Sequence, residues 1–239
     1  MAKQGNALVV MAKAPVAGRV KTRLVPPLSP EEAAQFYGSL LLDLLESLSS
    51  FREADMFVAF TPVEAAIFFK ETCPANFMCF PQSGGELGEK MELVFQDLFN
   101  RGYRKIVLIG SDLPVFPSRF LRNTFRELEK AGYNRIVLGP SRDGGYYLIG
   151  MNHPTPEIFR GIPWSARGVL SVTIQKLRDL GMKPYTLPPW FDIDTLEDLH
   201  HLAGLKSAPH SQQHACKFLE GLAAEKLRLC TVKEPKTKN

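Results

Sequence analysis

The run Lys13-Ala-Pro-Val-Ala-Gly18-Arg19-Val-Lys21-Thr-Arg23 places four cations in one loop, directly after the apolar stretch Ala7-Leu-Val-Val-Met11. That stretch reads as a buried strand, and Pro15 and Gly18 are turn residues, so the loop leaves the end of a sheet. Lys13, Arg19, Lys21 and Arg23 together could offset the roughly four negative charges of a nucleoside triphosphate, Arg through its planar fork and Lys as a point charge. Taken alone, a charge run is more simply a solvated basic turn. On either reading the four are exposed loop residues that add little to folding.

Acidic sequence elsewhere would complete a phosphate site. Ile106-Val-Leu-Ile-Gly-Ser-Asp112-Leu-Pro114 is an apolar strand ending in a carboxylate at its C-terminal edge, where open α/β sheets bind ligands. Asp112 could join a divalent metal to a phosphate there, or form no more than an Asx turn. In Trp190-Phe-Asp192-Ile-Asp194-Thr195 an extended Asp-x-Asp sends both carboxylates to one side, where they repel unless something positive sits between them. Mg²⁺ (or Mn²⁺) is commonly shared between one or two carboxylates and substrate phosphates, so Asp112, Asp192 and Asp194 are a candidate metal set. The alternative makes Asp194 the cap of a helix starting at Thr195 and Asp192 a solvated loop charge.

Two glycine loops add to the picture. Gly139-Pro-Ser-Arg142-Asp143-Gly144-Gly145-Tyr146-Tyr147 suits a tight turn or a close approach of backbone to ligand, and its Arg and two Tyr favour a substrate loop over a bare hairpin. Gln82-Ser-Gly-Gly-Glu86-Leu-Gly88-Glu89-Lys90 precedes a helix and could offer backbone N–H groups to an anion or a base. Neither G-x-x-x-x-G-K-[ST] nor G-x-G-x-x-G follows a strand, which excludes a P-loop kinase and a dinucleotide dehydrogenase. The five histidines lie outside these motifs and receive no role.

These residues need a sheet edge to gather them. Strand-like runs at 8–11, 56–60, 77–80, 106–109, 136–138, 146–149 and 184–187 alternate mostly with helical patterns, which predicts an α/β fold with a largely parallel sheet. The first helix opens on a capping box, Ser29-Pro-Glu-Glu32, and carries Phe36, Tyr37, Leu40, Leu41, Leu44, Leu45 and Leu48 as a core face with no function implied. Further helices are expected over 86–101, from Ser118 to Gly132, over 171–180 and from Thr195. Residues 1–204 read as one domain, and 205–239 as a linker, a short helix around Cys216–Leu229 and a tail.

Composition narrows the class. With 45% apolar residues and a net charge of +4, the chain supports a sizeable core and suggests no nucleic-acid groove. Cys73, Cys79, Cys216 and Cys230 have no metal-ligand spacing and indicate no disulfide framework. No signal peptide and no apolar run of about 20 residues is found, so a cytoplasmic protein with no membrane partner is expected. Oligomeric state is not legible.

The ordered motifs from Ala12 to Leu24, Gly88 to Met91, Gly110-Ser-Asp-Leu-Pro114, Gly139 to Tyr147, Ile162-Pro-Trp164-Ser165 and Phe191 to Thr195 resemble those of the DUF2064 family. These are uncharacterised bacterial and archaeal members of the GT-A nucleotide-diphospho-sugar transferase superfamily. The resemblance runs from Leu8 to Leu202 and implies a Rossmann-like three-layer α/β/α sandwich, with the nucleotide at the C-terminal edges of the first strands. The Lys-Thr-Arg, Gly-Ser-Asp-Leu-Pro and Asp-Ile-Asp-Thr elements are also similar to those of phospholactate guanylyltransferases, whose metal-binding acids correspond to Asp112, Asp192 and Asp194. DUF2064 members often carry Thr-Asp-Cys-Pro at the Asp112 turn and Gly-Asp-Leu-Gly before the second helix; here Ser111 and Leu113, and Gly85-Glu86, stand instead.

The expected activity is nucleotidyl transfer from a nucleoside triphosphate to a phosphorylated or acidic small molecule. Lys21 and Asp112 would be catalytic, and Lys13, Gly18, Arg19, Lys21, Arg23 and Gly88 would bind the nucleotide. Asp143, Gly144, Gly145, Tyr146, Trp164 and Ser165 would border the acceptor. Glycosyl transfer from a nucleotide-diphospho-sugar is the alternative enzyme, and a nucleotide-binding protein without turnover is the alternative class.

Overall fold

The computed structural model describes residues 5–114, 116–130, 134–164, 168–204 and 213–222. Seven strands form one sheet: β1 (Asn6–Lys13), β2 (Asp55–Thr61), β3 (Phe77–Pro81), β4 (Lys105–Gly110), β5 (Ile136–Pro140), β6 (Tyr146–Met151) and β7 (Tyr185–Thr186). Their spatial order is β3-β2-β1-β4-β6-β5-β7, with β6 alone antiparallel to its neighbours. The C-terminal ends of the six other strands therefore share one edge. Between β1 and β4 the strand order reverses, the point at which open α/β sheets place a ligand crevice.

β1 and β4 are buried along nearly their whole length because helices cover both faces of the sheet. On one face Leu8 and Val10 pack with Leu41 and Leu44 of α1 (Pro30–Ser49) and Leu121 and Phe125 of α4 (Ser118–Lys130). On the other, Ala7 and Val9 meet Val94 and Leu98 of α3 (Leu87–Asn100) and Leu177 of α5 (Val169–Asp179). This is the three-layer α/β/α sandwich of the GT-A type that the motifs imply. The expected strands and helices are present among the described residues; Gly132 and residues 223–229 of the last expected helix lie outside them. One helix, α2 (Ala66–Thr72), has no counterpart in the sequence reading, since only Phe69 of it is buried and Ile67 is 71% exposed.

α1 starts as its sequence dictates. Ser29 Oγ accepts from the Glu32 N–H and Glu32 Oε2 accepts from the Ser29 N–H, with Pro30 at the first helical position. Two more helices, α6 (Leu196–Gly204) and α7 (Gln213–Gly221), pack over its far side. There Phe36 and Leu40 share a cluster with Leu24, Leu28, Phe191, Ile193, Leu199 and Leu219. The expected linker and tail lie outside the described residues, apart from Gln213 at the linker's end. No helix among the described residues is long and apolar enough to cross a membrane.

Asp43 of α1, 5% exposed, accepts from the His214 and Ala215 N–H groups at 3.0 and 2.9 Å and so caps α7 from outside that helix. Asp43→Ala is expected to cost about 1–2 kcal/mol, the loss of a helix cap, measured as a lower urea midpoint. An unchanged midpoint would show that the apolar contacts alone, such as Phe36 on Phe218, hold α7 in place.

Candidate active site

The crevice between β1 and β4 is closed by one ion pair network. Lys21 adopts a left-handed backbone (φ 48°) just before a short 3-10 turn at Thr22–Leu24, which points its side chain inward, where it is 2% exposed. Its Nζ lies 2.8 Å from Asp112 Oδ1 and 2.8 Å from Asp194 Oδ1. The two aspartate side chains keep 44% and 33% exposure, so the cation is buried beneath carboxylates that still face solvent. Burial by itself opposes the Lys21 charge, but Asp112 and then Asp194 outweigh it and hold the ammonium above its ordinary pKa.

Backbone and apolar packing fix the acids. The Ile193 N–H donates to the Asp112 carbonyl at 3.1 Å, tying the turn after β4 to the Asp-x-Asp segment. Phe191 and Ile193 point into the cluster under α1, so Asp192 and Asp194 emerge together on the other side, as the alternation requires. Leu24 and Leu28 enter the same cluster and anchor the Lys21 loop beside them.

The helix-cap alternative for Asp194 is resolved by its neighbours. Thr195 Oγ1 accepts from the Asp198 N–H at 3.3 Å, and Asp198 Oδ2 accepts from the N–H groups of Asp194 and Thr195 at 3.1 and 2.8 Å. Thr195 and Asp198 thus cap α6 reciprocally, and the Asp194 carboxylate is left to Lys21.

Tyr37 joins the network from below. Its hydroxyl accepts from the Lys13 N–H at 3.0 Å, shares a 2.7 Å hydrogen bond with Ser111 Oγ, and its ring lies 6.0 Å from Lys21 Nζ. Burial, then the Asp112 charge, push the phenol well above its ordinary pKa and keep it neutral. The sequence reading assigns Tyr37 to core only. The available signal was a lone hydroxyl in an otherwise apolar helix face, which a buried Tyr must satisfy.

The four basic residues are therefore not equivalent, and the expectation that all four are exposed is corrected at Lys21. Its charge is committed to two carboxylates because a buried cation needs partners. Lys13 and Arg19 are exposed and carry no ion pair among the described residues, Gly18 turns the exposed loop between them, and Arg23 lies 3.9 Å from Asp194 Oδ2. Lys21 pairs with Asp112 and Asp194 and makes no ion pair with Asp192. Burial, then the charges of Asp194 and Asp143, push its carboxyl up to about 6.

The substrate-loop candidates occupy the same edge. Asp143 Oδ1 accepts from the Ser141 hydroxyl and from the Gly145 N–H, so Asp143 first closes its own turn. Gly144 has φ +92°, and an added Cβ would lie 3.2 Å from the Gly168 nitrogen where α5 begins. Arg142 reaches across to the ring of Phe191, 5.2 Å away. On the other flank Tyr146 packs edge-on to Trp164 at 6.3 Å, and Trp164 lies so close to Gly88 that a Cβ there would fall 2.2 Å from the indole nitrogen. Gly88 is thus needed to seat Trp164. Ser165 lies outside the described residues.

A divalent cation would find hard oxygen donors here, and Asp112 and Asp194 already converge on one positive centre, Lys21 Nζ. The three aspartates do not themselves gather within 4.8 Å. Among the described residues that closeness is reached by Asp43, Glu46 and His214, where Asp43 is already used as a cap.

The model of the family DUF2064, "Uncharacterized protein conserved in bacteria", matches residues 44–166. A provisionally assigned nucleotide-diphospho-sugar transferase from Desulfovibrio desulfuricans G20 is 30% identical, with a TM-score of 0.85 over 95% of this chain and 98% of that one. A cytidylyltransferase from Leptospira borgpetersenii serovar Hardjo-bovis shares the fold at 13% identity, with a TM-score of 0.57 over 98% and 99% of the two chains. A CMP:2-keto-3-deoxy-manno-octonic acid synthetase complexed with CTP does so at 10% identity, with a TM-score of 0.53 over 84% and 98%.

Two results are expected. Lys21→Met leaves two half-solvated carboxylates facing each other and should cost about 1–3 kcal/mol, whereas Arg19→Ala should stay within about 0.5 kcal/mol, both by urea unfolding. Equal midpoints for the two variants would contradict the buried pairing. For Asp192 the folded pKa of about 6 exceeds the ordinary 3.8, so its contribution to stability is full below 3.8 and is lost as pH rises through about 6. Asp192→Asn should flatten that fall by about 1–3 kcal/mol, read from unfolding free energies across the acidic range.

Proposed function

The chain belongs to the DUF2064 family, and from that premise we propose that it is a metal-dependent nucleotidyltransferase acting on a phosphorylated or acidic small molecule. The observation that carries this reading is Lys21 locked between Asp112 and Asp194 at the strand-order reversal, with Arg23 beside Asp194 and Lys13 and Arg19 exposed on the same loop. Likeness of fold to cytidylyltransferases supports the class without identifying the base or the acceptor.

In this proposal an acceptor oxygen attacks the α-phosphorus, a new P–O bond forms, and the α–β anhydride bond breaks to release pyrophosphate. Lys13, Arg19 and Arg23 bind the outer phosphates, where their exposure leaves them available. Lys21 holds Asp112 and Asp194 in place and presents positive charge at the crevice floor. Mg²⁺ or Mn²⁺ held among Asp112, Asp192 and Asp194, in part through waters because the three do not close on one point, would supply charge neutralisation for the α-phosphate and departing pyrophosphate. Tyr146 and Trp164 bound the acceptor side, seated by Gly88, and the 143–145 turn borders the same space. An acceptor phosphate or carboxylate is already ionised near neutrality, so no general base is needed.

Glycosyl transfer from a nucleotide-diphospho-sugar is the second reading, favoured by the name borne by the Desulfovibrio relative. Calorimetry with Mg²⁺ separates the two: a nucleoside triphosphate should bind more tightly than the matching nucleotide-diphospho-sugar, and Asp112→Asn should abolish the metal dependence. Tighter binding of the sugar nucleotide, or sugar release with no pyrophosphate formed from any triphosphate, would transfer the assignment to glycosyl transfer. Thermal shift gives the screen, since a ligand at about 100 times its dissociation constant adds about 2.7 kcal/mol of stability.

A further inference from the structure

Away from the crevice, two cysteines line one cavity at the outer edge of the sheet. Cys73 closes the C-terminus of α2, and its N–H donates to the Phe69 carbonyl at 3.0 Å. Cys79 lies on the edge strand β3, and its Sγ sits 3.8 Å from that same carbonyl. Two cysteines from different elements converge on one backbone oxygen, Cys73 through its N–H and Cys79 through its thiol, and both line one cavity. Spacing in the sequence does not reveal this, because the α2-to-β3 turn supplies the approach.

The pair is half-buried but open to reagents. Both cysteines line a surface cavity of about 470 Å³ together with Phe60, Lys70 and Phe77, within the size range of small-molecule pockets. Lys70 brings a positive charge to that cavity. The two thiols are also unequal. Interaction with Cys73 holds the Cys79 thiol below its ordinary pKa, and the same interaction, then burial, push Cys73 up. A thiol with more thiolate character is the better placed to attack first.

We propose that Cys73 and Cys79 form a redox-active dithiol whose cavity admits a small anionic disulfide and which closes to an internal disulfide by thiol exchange. The Cys79 thiolate attacks one sulfur of the reagent, forming a mixed disulfide and expelling one reagent thiolate. Cys73 then gives its proton to solvent and attacks the Cys79 sulfur. The Cys73–Cys79 bond forms and the second reagent thiolate leaves. Two protein thiols are oxidised to one disulfide, and one reagent disulfide is reduced to two thiols.

The test treats the reduced full-length chain with glutathione disulfide, alkylates the remaining thiols, and maps the products by proteolysis and mass spectrometry. The expected product is a Cys73–Cys79 linked peptide lighter by two hydrogens, with both thiols lost to alkylation. In Cys73→Ser a glutathione adduct should instead accumulate on Cys79, because the second thiol is gone. A glutathione adduct that persists on Cys79 in the unaltered chain, or both thiols staying alkylatable, would overturn the proposal. Should Cys73→Ser fail to fold, the map of the unaltered chain decides alone.

Discussion

A buried ammonium is tolerable only where opposite charge meets it, and Lys21 makes that requirement the organising constraint of this molecule. Its two partners come from distant parts of the chain, Asp112 after β4 and Asp194 before α6. The loop after β1, the turn after β4 and the segment after β7 must therefore all arrive at one point. The strand order makes this possible, since the ends of β1, β4 and β7 share an edge. A left-handed backbone at a residue other than glycine is costly, and at Lys21 the two ion pairs offset it.

Around that point the fold separates holding from presenting. Tyr37 and Ser111, both almost fully buried, bind the start of the basic loop and the Asp112 turn together from beneath. Thr195 and Asp198 satisfy the start of α6 between themselves. With the backbone demands met by other groups, the carboxylates of Asp112 and Asp194 keep a solvent-facing side. Carboxylates preorganised in this way need no rearrangement to meet a group of opposite charge.

How much of this could be read from the sequence depended on whether a feature is local. The capping box at Ser29 and Glu32, the Asp-x-Asp alternation and the seven strands are set by neighbouring residues, and each is found where its spacing puts it. The exposure of Lys21 is not local. Nothing in Val20-Lys21-Thr22 distinguishes it from Arg19, because its burial is decided by carboxylates that lie 91 and 173 residues further along the chain. Whether Asp194 caps α6 likewise depends on Asp198, whose side chain does the capping with Thr195. Gly88, read in the sequence as a nucleotide-binding glycine, also makes room for Trp164, a contact between elements that no motif encodes. α2 escaped notice for a plainer reason: with one buried side chain it has no stripe to read.

The apolar cluster beneath the acids bears on the order in which this site comes into being. Leu24 and Leu28 from the basic loop, Phe191 and Ile193 from the acid segment, and Ala215 and Leu219 from α7 are neighbours in one cluster. A ribosome delivers those groups at widely separated times, and domains settle as their parts emerge. Through most of synthesis the cations and Asp112 exist without Asp194 or its floor, so the crevice is one of the last features of the chain to take its final shape.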